Sequence, residues 1–306
     1  MPPGRTWTSI GNTVANPGLE IYRFGYFCHI FEPMTRTAAT PFITRRGDDL
    51  VPNPIAHGGW GPTLGGQVVG GLLARAIEAQ VQDTTLHPAR LTVEILRRVA
   101  TEPLQVSATV VRAGRRMRSV DAAMTQDGAL VARASALYLR RSTQPDGEFW
   151  STAVDMPPIP EEPEQIDDSI PMFIRAYGAT GDSNGLEFPW QQPGPRYAWI
   201  REFRDLVDGE DVTPFIRAVM AVDVTSSMTN FSTAGLAFIN ADFTLALSRL
   251  PDGPYIGLAA LTHTSADGVA TGSSGLFDRL GPIGTGLSTA ITNANFDPNG
   301  KYQRPS

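Results

Sequence analysis

Cysteine is all but absent. Cys28 is the single one in 306 residues, which excludes an internal disulfide and any cysteine-based metal cluster. It sits among Tyr26, Phe27 and Phe31, so a small buried thiol is expected rather than a nucleophile. Long apolar runs are missing too. Arg75 interrupts the best one, well short of the roughly 20 residues that a membrane helix needs. Met1 to Ile10 lacks the apolar centre of a secretory leader. Basic charge is in deficit: the net charge is −6, and the Arg-Arg pairs at 45–46, 97–98, 115–116 and 140–141 are scattered. A nucleic-acid partner is therefore not expected. His29, His87 and His263 are too far apart to argue a metal. Ser226 and Ser227 stand in no G-x-S-x-G elbow. The expectation is a cytoplasmic, reduced protein without metal or cofactor and without a membrane partner.

What is present is an ordinary globular composition, 42% hydrophobic and 18% charged, long enough for one large or two medium domains. Its most distinctive stretch is His57-Gly58-Gly59-Trp60-Gly61-Pro62-Thr63-Leu64-Gly65-Gly66-Gln67, running into the apolar pattern 68–80. It predicts a Gly-rich loop feeding a buried helix over about 63–80, with Pro62 in the first turn. Glycines 65, 66, 70 and 71 are poor helix formers, each costing roughly 0.5–1 kcal/mol against alanine. Tolerating four of them implies that something approaches this backbone closely, either a surrounding sheet or a ligand at the helix N-terminus. Free N–H groups there would attract a carbonyl oxygen or an anion. The loop has neither the Lys-Ser/Thr ending of a Walker motif nor a preceding strand.

Along the chain, Ile21 to Phe31 reads as a strand and 33–62 as an extended loop. After the helix come strands at Leu91–Val99, Leu104–Val111, Ser119–Thr125 and Ala129–Leu139, the last two joined by the hairpin signal Asp127-Gly128. Residues 141–170 hold Pro157, Pro158, Pro160 and Pro163 among acidic residues and read as an extended linker. A second series then repeats the first: a helix from Thr213-Pro214 to about Met228, a strand at Ala241–Leu250, and a turn at Asp278–Gly281. Pro62 and Pro214 are 152 residues apart, and Arg98 and Arg249, like Asp127 and Asp278, are 151 apart. A fixed offset marks a duplicated unit. Joined edge to edge, two antiparallel sheets would each lose an unpaired edge, with any ligand site between the copies. The domains predicted are 1–140, a linker and lead-in 141–195, and 196–306.

These features resemble the double hot-dog fold of the acyl-CoA thioesterase superfamily, and within it the type II acyl-CoA thioesterase-like group. The matching residues are His57-Gly58-Gly59, Leu72 to Glu78, Ala89 to Arg97 and Val111 to Arg116. In the second half they are Leu206 to Glu210, Asn240 to Thr244 and Leu276 to Asp278. The resemblance implies an α+β fold of two tandem repeats, each an antiparallel sheet around a central helix, and hydrolysis of acyl-CoA thioesters without cofactor. It also implies a water held by three residues. The Asp of the second helix falls on Asp223, the residue opening the next strand on Asn240, and the family's Gln near Ser288 or Thr289, where this sequence has no Gln.

Three readings follow. In the first, Asp223, set among Ala218, Val219, Ala221, Val222 and Val224, is a general base toward water and Asn240 orients that water. Backbone N–H groups around Gly65, Gly66 and Gln67, with Gly59 and Trp60 nearby, would hold the oxyanion or the substrate. In the second, His57 and Asp223 face each other as in hot-dog dehydratases and move a proton on a β-hydroxyacyl thioester. In the third, the chain binds acyl groups without hydrolysis, and Met228, Phe231, Leu236 and Phe238 line an apolar tunnel. Asp242 is expected to pair with an arginine and Asp278 to be structural. Exposed sheet edges could pair copies into a homo-oligomer.

Overall fold

The computed structural model describes residues 39–161, 168–178, 181–182 and 190–293; the expectations for Cys28, His29 and the run 21–31 lie outside them. A hairpin opens the described chain, β1 (Ile43–Arg46) and β2 (Asp49–Pro52), turning at Gly47 with φ of 62°. So 33–62 is not all loop. Then come α1 (Gly66–Glu78), β3 (Leu86–Ile95), β4 (Gln105–Ala113), β5 (Met117–Gln126) and β6 (Ala129–Arg140). The second series begins with β7 (Phe173–Gly178), β8 (Gly181–Asp182) and β9 (Tyr197–Arg201). It continues with α2 (Pro214–Val222), α3 (Val224–Asn230) and the two-residue strands β10 (Phe231–Ser232) and β11 (Gly235–Leu236). It closes with β12 (Phe238–Leu247), β13 (Ile256–Ala266), β14 (Val269–Asp278) and β15 (Gly281–Thr292).

Among the described residues one sheet, ordered β4-β5-β6-β3-β12-β15-β14-β13-β9-β7-β8, carries both halves. α1 packs on β3 to β6 and α3 on β12 to β15, so each half wraps its own helix and the fold is the α+β double hot-dog. The halves join where β3 pairs antiparallel with β12. Strand starts recur at one offset: Phe238 follows Leu86 by 152 residues, as Val269 follows Met117 and Gly281 follows Ala129. Under that offset the pair Thr92–Thr244 maps onto itself, so the pseudo-twofold axis passes through it. The two hydroxyls are hydrogen-bonded at 3.0 Å.

One buried apolar cluster spans both halves, with Leu72, Leu73 and Ile77 of α1, Phe215 and Met220 of α2, and Leu91 and Phe243 of the joining strands. The helices are also tied at their ends. Thr213 caps α2 by accepting from Ile216 N (3.2 Å) and donates to Glu78 Oε2 (2.8 Å) at the end of α1. A cap of this kind contributes about 1 kcal/mol.

The segment 141–195 contributes β7 and β8 to the sheet. Around Pro157 it lies against the second half, where Trp199 Nε1 donates to Pro157 O at 2.8 Å and Met156 packs by Gly257. The landmark Asp278 aligns in space with Gln126, one residue away from Asp127. Both are buried and both hold the same loop: Gln126 Oε1 accepts from Ala100 N, and Asp278 Oδ2 from Asp252 N, 152 residues on. Asp278 also pairs with Arg249, so its role is structural. The Asp127-Gly128 turn has φ of 48° and 73°, as a two-residue hairpin with the right twist requires.

Candidate active site

The two helices match at their ends but not at their starts. Glu78 and Asn230 lie 152 residues apart, yet α2 opens at Pro214 while α1 opens at Gly66, one turn later than Pro62 would set it. The expected start is corrected here. Residues 63–65 are drawn off the helical path by other partners: Leu64 N donates to Val99 O, Gly65 N to Ala56 O and Gly58 N to Thr63 O. His57 and Leu64 form a β-bridge, as do Thr63 and Ala100. The missing turn leaves the N-terminus of α1 open, and Asp223 fills the approach to it.

Asp223 sits at the break between α2 and α3, which the sequence reads as one helix. Its carboxylate rests on Gly66, so a Cβ at that position would overlap Oδ1. Asn240 Nδ2 donates to Asp223 Oδ1 at 3.0 Å. The carboxyl lies deep in the protein, and burial pushes its pKa up to about 6; the Asn240 amide and then the Gln67 backbone N–H pull against that rise. Asp223 and Gly66 as residues both keep partial exposure, so the buried carboxyl stands at the margin of the core beside the N-terminus of α1. The Gln67 side chain folds back over Gly65, where a Cβ would strike its amide. Gln67 N–H is turned to the carboxylate, so of the N–H groups expected to hold an oxyanion, Gly66 N–H is the one that meets no acceptor among the described residues.

Asn240 is aimed by a bulge in β12, where pairing with β15 shifts between Asn240 and Asp242. Ser288 Oγ donates to Asp242 O (3.2 Å), and Thr289 N donates to Asp242 Oδ1 (2.7 Å). Ser288 thus holds the bulge that carries Asn240. Asp242 is met by a main-chain N–H and, among the described residues, not by the arginine expected of it. His57 lies beside Leu64 just ahead of α1, and its partial burial lowers its pKa. Gly59 is exposed, whereas Trp60 is half-buried against the core. Of the four tunnel residues, Met228, Phe231 and Leu236 are buried in the core, and Phe231 and Phe238 line an open cavity. Among the described residues no group of three or more His, Cys, Asp or Glu could hold a metal, and no helix is long and apolar enough to cross a membrane.

The duplication yields two equivalent positions but one carboxylate. The counterparts of Asp223 and Asn240 at the same offset are Gly71 and Pro88, and the approach to Gly71 is filled by Leu206 and Met220. The sequence also hid a polar face on a buried helix: Thr225, Ser226, Thr229 and Asn230 of α3 are all buried. Glycines made the room for it, since a Cβ at Gly286 or Gly272 would strike Thr225 or Thr229. Strand glycines opposite a Thr/Ser-rich helix were the available signal.

Residues 56–139 match the family model described as the acyl-CoA thioesterase N-terminal domain, and residues 152–291 that of the acyl-CoA thioesterase C-terminal domain. No curated protein sequence matches the chain significantly. Among solved structures, the tesB protein of Mycobacterium avium subsp. paratuberculosis superposes with a TM-score of 0.58 at 14% identity, covering 82% of this chain and 95% of that one. A conserved hot-dog protein of unknown function from Alicyclobacillus acidocaldarius gives 0.58 at 15%, covering 82% and 96%. An acyl-CoA thioesterase II of Mycobacterium marinum gives 0.54 at 16%, covering 79% and 92%. At these identities the structures speak for the fold, and the paired domain models, spanning both halves in order, speak for the family. The chain belongs to the acyl-CoA thioesterase family and is a thioester hydrolase.

Proposed function

We propose that the protein hydrolyses an acyl-CoA in the crevice between the halves, with Asp223 as general base and Asn240 as the group that positions water. The observation that carries this reading is a single carboxylate seated against the N-terminus of α1, with its pKa raised to about 6. Asp223 takes a proton from water as the oxygen attacks the thioester carbonyl. The carbonyl oxygen gains the charge that the carboxylate loses, and Gly66 N–H at the positive helix end donates to it. Collapse of the intermediate breaks the C–S bond, and Asp223 returns its proton to the departing thiolate. Total charge at the site stays constant throughout, which suits a crevice poor in counter-ions. Gln67 and Ser288 support the arrangement through the helix tip and the bulge, and Gly65, Gly59, Trp60 and His57 frame the entrance.

The test is thiol release from a panel of acyl-CoA esters of increasing chain length. Release above background with at least one ester, and its loss in Asp223→Asn, is expected. No release from any ester, or undiminished release in Asp223→Asn, overturns the assignment. His57→Ala separates the dehydratase reading: that reading requires enoyl absorbance from β-hydroxyacyl thioesters that vanishes in the variant.

A further inference from the structure

At the far end of α3 from Asp223, Asn230 stands on the wall of a cavity of about 380 Å³, within the range of small-ligand sites. Phe231 and Phe238 form its apolar side, and Arg196, Asn230, His263 and Ser265 its polar side. The cavity and the candidate site share two elements, α3 and β12. Phe238 and Asn240 are alternate residues on one strand, so they share a face about 7 Å apart. The seven residues of α3 separate the two ends by about 10 Å. A chain whose carbonyl sits at Asp223 and which runs past Asn240 would enter the cavity with its far end.

The polar side is arranged for an anion. Arg196 Nη1 donates to Met228 O (3.1 Å) and Thr229 O (3.4 Å), and Nη2 to Gln192 O (3.1 Å). All three acceptors are neutral carbonyls. Nε is buried and unpartnered, and among the described residues no carboxylate pairs with Arg196. A partly buried guanidinium without a counter-ion costs desolvation that a bound anion would offset. Beside it, His263 Nδ1 donates to Asn230 Oδ1 (3.0 Å), leaving Nε2 against Ser265 Oγ (3.1 Å). Nε2 then accepts from the Ser265 hydroxyl, and the second amide proton of Asn230 can turn to a ligand oxygen. Coenzyme A brings several phosphate charges. One arginine already donating to carbonyls suits a single carboxylate better than that cluster.

We propose that this cavity receives the far end of the acyl chain and that the enzyme prefers acyl thioesters ending in a carboxylate. The proposal rests on the reading of Asp223 as the reacting end. Its test compares two CoA esters of equal chain length, one methyl-ended and one carboxylate-ended, on the full chain. Wild type is expected to favour the carboxylate-ended ester in kcat/KM. Arg196→Met should lower that preference by about ten-fold or more, the loss of one charge-assisted contact. An Arg196 that merely holds the end of α3 would depress both esters alike and leave the ratio unchanged, which overturns the proposal. Ala237→Phe, which fills the cavity, should reduce kcat/KM for both long esters while sparing acetyl-CoA; equal loss on all three also counts against it. Calorimetric binding of both esters to Asp223→Asn separates the two claims. Tighter binding of the carboxylate-ended ester supports the cavity whether or not wild type turns it over, and equal binding overturns it. Weaker binding of acyl-free CoA in Arg196→Met would show that the anion is a phosphate and would likewise overturn the proposal.

Discussion

Asp223 holds its proton to about pH 6 because the surrounding protein replaces water around the carboxyl, and Asn240 and Gln67 N–H recover only part of that loss. In the unfolded chain the proton leaves near 3.8. The neutral fold is therefore fully favoured below about 3.8, and this contribution is lost as pH rises through about 6. The pKa difference corresponds to about 3 kcal/mol at most. Asp223→Asn, which removes the charge, should raise denaturant stability over wild type at pH 8 and confer no gain at pH 3.8. The same variant should lose activity by about 10²-fold or more, the usual worth of a general base. Equal stability of the two proteins at pH 8 would contradict the burial of a charged carboxylate. In wild type, kcat/KM should climb through about pH 6 and level off above it, since the base proposed is the ionised form. Asn240→Ala removes the main hydrogen bond that favours the anion, so the climbing limb should move to higher pH; an unmoved limb would separate Asn240 from the base.

Between elements, the candidate site is shaped by the turn that α1 lacks and α2 has. That difference was not legible in sequence: Pro62 and Pro214 stand at one offset, and both suit a helix start. What decides between them is pairing of 58, 64 and 65 with Thr63, Val99 and Ala56, contacts that local propensity does not contain. The four glycines of the stretch did announce a close approach. Gly66 admits the Asp223 carboxylate and Gly70 the Phe243 ring, but only the fold identifies which glycine faces chemistry. Replacing each with alanine tests this. In a free helix either change would gain about 1 kcal/mol. Here Gly66→Ala should cut kcat/KM by about ten-fold or more with little change in melting temperature, because its methyl displaces the carboxylate of a residue that keeps partial exposure. Gly70→Ala should destabilise by about 1–3 kcal/mol, because its methyl meets a ring with no room to move. If both lose stability equally, the crevice beside Gly66 is closed.

At the scale of the whole molecule, the duplication was readable because strand turns keep their spacing, while the alignment of Asp278 with Gln126 and the extra strand β7 were not. Both depend on which loop a buried side chain must hold, or on which edge is left to cover. The halves are one folding unit for the same reason that they are repeats. β3 and β12 would each be an open edge if separated, and the apolar faces of α1 and α2 meet in the main buried cluster. Little is left for either half to stand on alone. Thermal unfolding followed by calorimetry should therefore show one transition with calorimetric and van't Hoff enthalpies equal. Thr92→Lys should lower its midpoint without splitting it, since the lysine enters at the axis, where the Thr92 and Thr244 hydroxyls meet. Two transitions, or a variant in which only one moves, would mean that the halves fold independently and merely dock. A crevice formed by docking would widen before either half melted, so activity would disappear below the first transition. In a single unit, activity and structure are lost at one temperature, and following thiol release up the same temperature ramp distinguishes the two.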